Sequence, residues 1–229
     1  SSAASDVYKR QSMYREGSDI DMINSSPVGS VVKLSCEACD CLVDAFAVSS
    51  ITGGALDVSL GDYYSKMKKG ASNSAELRRG KFEIDPENFY IKKVADGKID
   101  LGCIGKGYAV DRMVEILRET WEIENAFISF GGSSIFAFGK PEDSDSWRVN
   151  LSKDISFDIP PSGMGVGASG VAVQGEHVFD GRTGEVPGHQ PFRTWAFCDS
   201  AAFADAFSTA FMIIGREEVE KICAQTGVR

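Results

Sequence analysis

The sequence predicts an α+β protein. Short strand-like runs and helical stripes alternate along its 229 residues, but without the regular strand–helix–strand spacing of a doubly wound sheet. Turn-rich breaks at Asp85-Pro-Glu-Asn88 and Asp96-Gly97 separate neighbouring short strands, which is the pattern of hairpins. Asp199–Ile214 reads as one long helix, so rich in Ala and Phe that it belongs in an interior.

Residues 1–12 are polar and carry no folded pattern. They are expected to be non-native or disordered, which leaves 13–229 as one domain. Tyr14–Asn24 turns at Gly17–Ser18 and enters a short helical stretch. Ser35 caps a helix whose Cys39, Leu42, Val43, Phe46 and Ala47 follow a buried stripe, and Thr52-Gly-Gly54 stops it. A short helix is expected near Asp62–Lys68, then a polar connector over Ala71–Gly80. Phe82–Ile84, Tyr90–Val94 and Lys98–Leu101 are strand candidates, with Asp96-Gly97 as a hairpin signal between the last two. A helix covers Gly105–Thr120. Ala126–Phe130 and Ile135–Phe138 bracket Gly131-Gly-Ser-Ser134, and Trp147–Leu151, His177–Phe179 and Thr194–Cys198 are further strands. Met164–Gly170 is glycine-rich and small-sided, which suits a backbone passing close to a ligand. Arg216–Thr226 forms the last helix.

Against 33 acidic residues stand 24 basic ones, and no basic cluster exceeds Lys66–Lys69 or Arg78–Lys81. A nucleic-acid partner is therefore not expected. No apolar run is long enough to span a bilayer, so no transmembrane segment is expected, and the first dozen residues lack the apolar centre of a signal peptide. The cysteines at 36, 39, 41, 103, 198 and 223 find no second cysteine pair or histidine cluster to complete a zinc site. They read as buried or half-buried free thiols.

The chain is organised around Ile99-Asp-Leu-Gly-Cys-Ile-Gly-Lys-Gly-Tyr-Ala-Val-Asp111, which reads as a strand end, a glycine-paced turn and a helix start. Gly102, Gly105 and Gly107 let the backbone approach a ligand without a Cβ in the way. Free N–H groups and the positive end of the helix dipole would face that turn, a favoured place for phosphate. Lys106 adds a charge and Asp100 an acceptor. The spacing matches neither the triphosphatase phosphate loop nor the dinucleotide fingerprint, so a plain turn with an exposed lysine stays open beside the anion site.

Asp205 and Thr209, four residues apart, present a carboxylate and a hydroxyl on one face of the apolar helix. Two readings stand: hard oxygen ligands of the kind that suits Mg2+, or an aspartate capping or ion-pairing at a helix edge. His177, with Asp180 close behind, carries the side chain whose ordinary pKa suits proton transfer near neutrality; a structural role is the alternative.

The motifs Tyr14-x-x-x-Ser-Asp-Ile-x-x-x-Asn24, Thr52-Gly-Gly-Ala-Leu-Asp57, Asp100 to Asp111, Gly131-Gly132, His177-x-x-Asp-x-Arg-Thr-Gly184 and Ala204-Asp-Ala-x-Ser-Thr-Ala210 occur in one order. Together they resemble the FAD:protein FMN transferases, the ApbE-like family, over about residues 13 to 220. The resemblance implies a mixed-sheet α+β fold with two related halves and the active site between them. It makes 13–229 a single flavin transferase domain, without the N- and C-terminal strands of the family. It also implies an enzyme that takes FAD as substrate with Mg2+, moves FMN onto a Thr or Ser hydroxyl of a partner flavoprotein and releases AMP. Tyr14 would stack on the isoalloxazine, and Ala55, Leu56, Asp57, Asp100, Lys106, Val178 and Phe179 would line the FAD site. Mg2+ would take the backbone carbonyl of Cys103 and the side chains of Asp205 and Thr209, with His177 as base for the target hydroxyl and Asp205 as the other catalytic residue. An FAD pyrophosphatase giving FMN and AMP, or a non-catalytic FAD-binding module, are the alternatives. The family's membrane-associated, extracytoplasmic setting is implied for this chain, while six thiols fit a reducing cytoplasm; the oligomeric state is open.

Overall fold

A computed structural model of the chain describes residues 16–68, 76–170, 178–188 and 191–229. Helix α1 (Asp19–Ser25) opens on Ser18, whose hydroxyl accepts from the Asp21 N–H at 3.0 Å. Helix α2 (Cys36–Ile51) opens in the same way on Ser35 and stops where Gly53 and Gly54 take left-handed φ of 58° and 79°. Its buried arc runs through Ala38, Cys39, Cys41, Leu42, Ala45 and Val48, whereas Val43 is 37% exposed. The expected stripe is thus rotated. Cys41 faces the main core, where α2 packs beside α5 (Ala201–Ala210). All six cysteines are free, and Cys39 and Cys41 are buried. Helix α3 (Gly61–Lys68) follows.

Strands β1 (Val31–Lys33), β2 (Lys81–Asp85) and β3 (Tyr90–Ala95) form one antiparallel sheet with β3 in the middle. β1 has no counterpart in the sequence reading, and the Asp85–Asn88 turn is as expected: the Asn88 N–H donates to Asp85 at 3.1 Å. Asp96-Gly97 does not make a hairpin. Gly97 instead lies against Gly80, where an added Cβ would stand 2.4 Å from the Gly80 Cα. Lys98–Leu101 is no strand either, although its backbone is paired. Lys98 makes a single parallel bridge with Leu60, and the Asp100 N–H donates to the Val58 carbonyl at 2.9 Å. Between them, the buried Asn24 amide donates to the Ile99 carbonyl at 2.9 Å and accepts its N–H at 2.7 Å. One side-chain amide does here what a neighbouring strand would do.

Strands β4 (Ala126–Phe130), β5 (Ser134–Phe138), β8 (Met164–Gly170) and β9 (Arg193–Cys198) form a four-stranded antiparallel sheet. One face carries α4 (Gly105–Glu115, continued by a π-helical turn over Ile116–Thr120) and α5, on Val110, Val114, Ile128, Phe136, Phe138 and Ala201. The other face, through Ala137, Met164 and Val166, packs on the hairpin of β6 (Trp147–Asn150) and β7 (Ser156–Ile159). Helix α6 (Arg216–Thr226) closes the chain. Helices over small antiparallel sheets make this the expected α+β fold.

Helix α5 is shorter than the sequence suggests, since the chain leaves the helix after Ala210, and it explains the glycines around it. An added Cβ at Gly165 would lie 2.6 Å from the Ala201 nitrogen, and at Gly167 2.1 Å from the Ala204 oxygen. Gly165 and Gly167 of β8 therefore admit a helix backbone, while Ala168, Ser169 and Gly170 at the strand's end line a cleft, as expected of this stretch. Gly107 on α4 is alike, with the Ala201 oxygen 2.1 Å from its absent Cβ. Phe207, 1% exposed, anchors α5 in the main core, a burial that contributes about 1.5–3 kcal/mol.

Candidate active site

The site grows out of one contact between two helices. Helix α4 starts after Ile104, which has no side-chain acceptor to cap it. Its first turn borrows one: the Gly107 N–H donates to Asp205 Oδ2 at 3.1 Å, and Lys106 Nζ reaches the same oxygen at 3.3 Å. Asp205 is 2% exposed. Burial pushes its carboxyl above the ordinary carboxylate range, and the Lys106 charge and the Gly107 N–H pull it back. From the middle of its own helix, Asp205 thus caps the neighbouring helix and pairs with Lys106. A carboxylate has two oxygens, so this leaves acceptor capacity for a ligand.

Helix α5 is held in turn by α4. The Asp111 carboxylate accepts from the Ala201 N–H at 2.7 Å, the Ala202 N–H at 2.8 Å and the Ser200 hydroxyl at 2.7 Å. One turn past Asp205, Thr209 Oγ1 lies 3.0 Å from Ser169 Oγ on β8 and donates to the Asp205 carbonyl at 3.3 Å.

These groups open on a cleft of about 700 Å³ whose walls include Asp100, Cys103, Lys106, Asp205 and Thr209. Gly131–Ser133 from the β4–β5 turn and Ser169 from β8 lie beside them. A second wall holds Leu56, Asp57, Val58, Tyr64, Val178 and Phe179, and a third holds Val149–Leu151, Arg193 and Trp195. The structure therefore brings together nearly all the described residues singled out from the sequence. Ala55 sits behind the wall, fully buried, its carbonyl accepting from the Gly181 N–H at 2.8 Å. Tyr14 and His177 lie outside the described residues, as does the start of the His177–Phe179 strand; Val178 and Phe179 line the cleft.

Several wall residues also hold the loops that carry them. Asp57 Oδ1 accepts from the Ser59 N–H at 2.9 Å and hydroxyl at 2.7 Å, while Oδ2 pairs with Arg79 at 3.0 Å. Asp100 accepts from the Gly102 N–H at 2.8 Å, which shapes the turn before α4. Asp180 is engaged by Arg182, which also reaches Glu218.

Burial, then the Asp100 and Asp205 charges, pushes the Cys103 thiol up to about 12, so it stays protonated. Among the described residues no backbone N–H is bonded to the Cys103 carbonyl, because the Gly107 N–H one turn on goes to Asp205. No group of three or more His, Cys, Asp or Glu among the described residues is placed to hold a metal. A cation beside Asp205 would complete its shell with hydroxyl, carbonyl, water and ligand oxygens, the donor type of hard ions.

Sequence reasoning missed Tyr64, Ser169, Arg193 and Trp195. Tyr64 stacks on Phe179 at 6.5 Å and 22°. Ser169 lies within the glycine run Met164–Gly170, the one available signal for it, and no spacing pointed to Arg193 or Trp195, which the fold alone brings to the cleft.

Fold and cleft define an α+β protein that brings a helix N-terminus, an ammonium and a buried carboxylate to one cleft, the first two being groups that suit phosphate. The chain belongs to the ApbE family, whose model matches residues 2–229. It is 22% identical over 256 residues to the FAD:protein FMN transferase of Haemophilus influenzae, covering 97% of this chain and 73% of that one. To the protein of the same name from Escherichia coli K12 it is 22% identical over 253 residues, covering 97% and 70%. Among solved structures, the flavin transferase ApbE from Vibrio cholerae matches with a TM-score of 0.82 at 21% identity, over 98% of this chain and 79% of that one. The Pseudomonas stutzeri flavinyl transferase ApbE, apo form, matches with a TM-score of 0.84 at 22% identity, over 99% and 78%. These structures share the fold.

Proposed function

We propose that this chain is a Mg2+-dependent FAD:protein FMN transferase that cleaves FAD, joins FMN through its phosphate to a Thr or Ser hydroxyl of a partner flavoprotein, and releases AMP. Family membership and the name its relatives bear support the reaction. The observation that carries it is the convergence of Lys106 Nζ and the Gly107 N–H on Asp205 at the mouth of helix α4, inside the cleft. Pyrophosphate cleavage asks a protein mainly to position the phosphates and neutralise charge, and these are groups of that kind.

In this reading the acceptor oxygen bonds to the FMN phosphorus as the bond to the AMP oxygen breaks, and the hydroxyl proton passes to a base. His177 is the proposed base; the chain enters the cleft wall at Val178 and Phe179, directly after it. The helix α4 N-terminus and Lys106 orient the phosphates. Leu56, Asp57, Val178 and Phe179 line the flavin nucleotide's site, and Tyr14 stacks on the isoalloxazine. Asp205, Thr209 and the Cys103 carbonyl hold Mg2+, which when bound supplies positive charge to the phosphate oxygens.

The test is incubation with FAD, with and without Mg2+ and with a threonine-bearing acceptor domain, separating FAD, FMN and AMP by chromatography. Mg2+-dependent AMP release with flavin retained on the acceptor, lost in Asp205→Ala, is the expected result. Free FMN with a bare acceptor would instead assign a pyrophosphatase, and intact bound FAD a binding module.

A further inference from the structure

We infer that the Lys106 ammonium is the built-in counter-ion of Asp205 and competes with a divalent cation for that carboxylate, so that cation binding hands the ammonium over to the ligand's phosphates. The inference rests on the metal-dependent reading above and adds a role for Lys106 that phosphate binding alone does not imply.

A carboxylate as buried as Asp205 is costly without a neutralising partner. Among the described residues Lys106 is its one ion-pair partner, and Asp205 is the one ion-pair partner of Lys106. The pair spans 3.3 Å, longer than the roughly 2.7–2.9 Å of a tight charge-assisted bond. Lys106 is 26% exposed along its side chain, and its stem passes Gly131, where an added Cβ would lie 3.6 Å from Cδ. The ammonium therefore sits at the end of a flexible stem within the cleft, on the oxygen-rich side. A divalent ion taking the same carboxylate places like charges side by side, and the lysine is the mobile one. Displaced, it stays in the cleft, where phosphate oxygens offer it new acceptors. Cation and phosphate ligand are in this way coupled through one side chain.

The test uses the full chain without FAD and Mn2+ as the probe, read by electron paramagnetic resonance. Lys106→Met removes the competitor and is expected to bind Mn2+ about fivefold more tightly or better, the lower end of ordinary coupling between sites. Lys106→Arg keeps the charge and is expected to stay near the parent. In EDTA, Lys106→Met should melt below the parent, and Mn2+ should close the gap by restoring the lost counter-charge; Lys106→Gln serves as a second neutral variant if the methionine protein does not fold. Unchanged or weaker Mn2+ binding in the neutral variants, while Asp205→Ala abolishes it, overturns the competition and leaves the metal reading standing. Mn2+ binding that survives Asp205→Ala, or none in parent and neutral variants alike, overturns both.

Discussion

Asp111 and Asp205 each cap the helix that carries the other. Asp111 on α4 takes two N–H groups from the first turn of α5, and Asp205 on α5 takes one from the first turn of α4. The two helices cross in backbone contact at Gly107, so the reciprocal caps fix both the angle between them and the place of the buried carboxylate.

Asp111→Ala tests the clamp. The variant should lose about 1–2 kcal/mol in urea unfolding, the usual cost of an aspartate cap. Since α5 carries Asp205 and Thr209, Mn2+ binding should weaken as well, although neither residue is altered. Unchanged stability would remove the clamp from the account.

Two glycines separate close packing from backbone conformation. Gly107→Ala forces a methyl to within 2.1 Å of the Ala201 oxygen, backbone that has no rotamer to yield. A loss of about 3 kcal/mol or more, or failure to fold, is expected. At Gly132 there is open space but φ is +71°, so Gly132→Ala should cost only about 1–2 kcal/mol. Thermal melts of both variants decide it, and the order of the two is the point.

Asp44 gives a pH signature. Burial, followed by repulsion from Asp111 and Asp40, raises its carboxyl from the ordinary 3.8 to about 6. The folded chain thus holds this proton more tightly than the unfolded chain between those values, and the residue's contribution to stability falls as pH rises through the window. Asp44→Asn should leave stability near pH 4 almost unchanged and raise it at pH 7.5 by about 1 kcal/mol, solvent screening of this half-buried group limiting the gain. Urea unfolding at the two pH values reads the difference; an equal effect at both would refute the assignment.

Cys103 should be chemically quiet. Its thiol, pushed up to about 12, stays protonated at neutral pH, whereas Cys36 is exposed. Alkylation of the native protein near pH 7.5, followed by peptide mass spectrometry, should label Cys36 well before Cys103. Cys103→Ser should keep Mn2+ binding, because the proposed ligand is the backbone carbonyl; loss of the ion would point to the sulfur instead.

Much of this was legible along the chain. Ser35 is a cap, Gly53 and Gly54 stop a helix, and Gly131–Ser133 turns one strand into the next, all as their spacing suggests. The family resemblance implied one site for Asp100, Cys103, Lys106, Asp205 and Thr209, and all five line the cleft. Asp96-Gly97 and Lys98–Leu101 misled because a turn dipeptide and an extended segment do not say which partner the backbone will find.

The sequence by itself determined the features whose energetics close within a few residues: caps, glycine stops, tight turns and the apolar character of α5. Only the tertiary structure decided that Asn24 serves Ile99, 75 residues away, as a strand would. It also decided that Gly165, Gly167 and Gly107 receive a helix backbone, while Gly170 lines the cleft. That choice depends on which surfaces meet, and a glycine is equally permissive toward a phosphate and toward another backbone. Asp205 shows the same division: its spacing allowed either a cap or a cation ligand, and it was the crossing of α4 and α5 that set its carboxylate on Gly107 and Lys106.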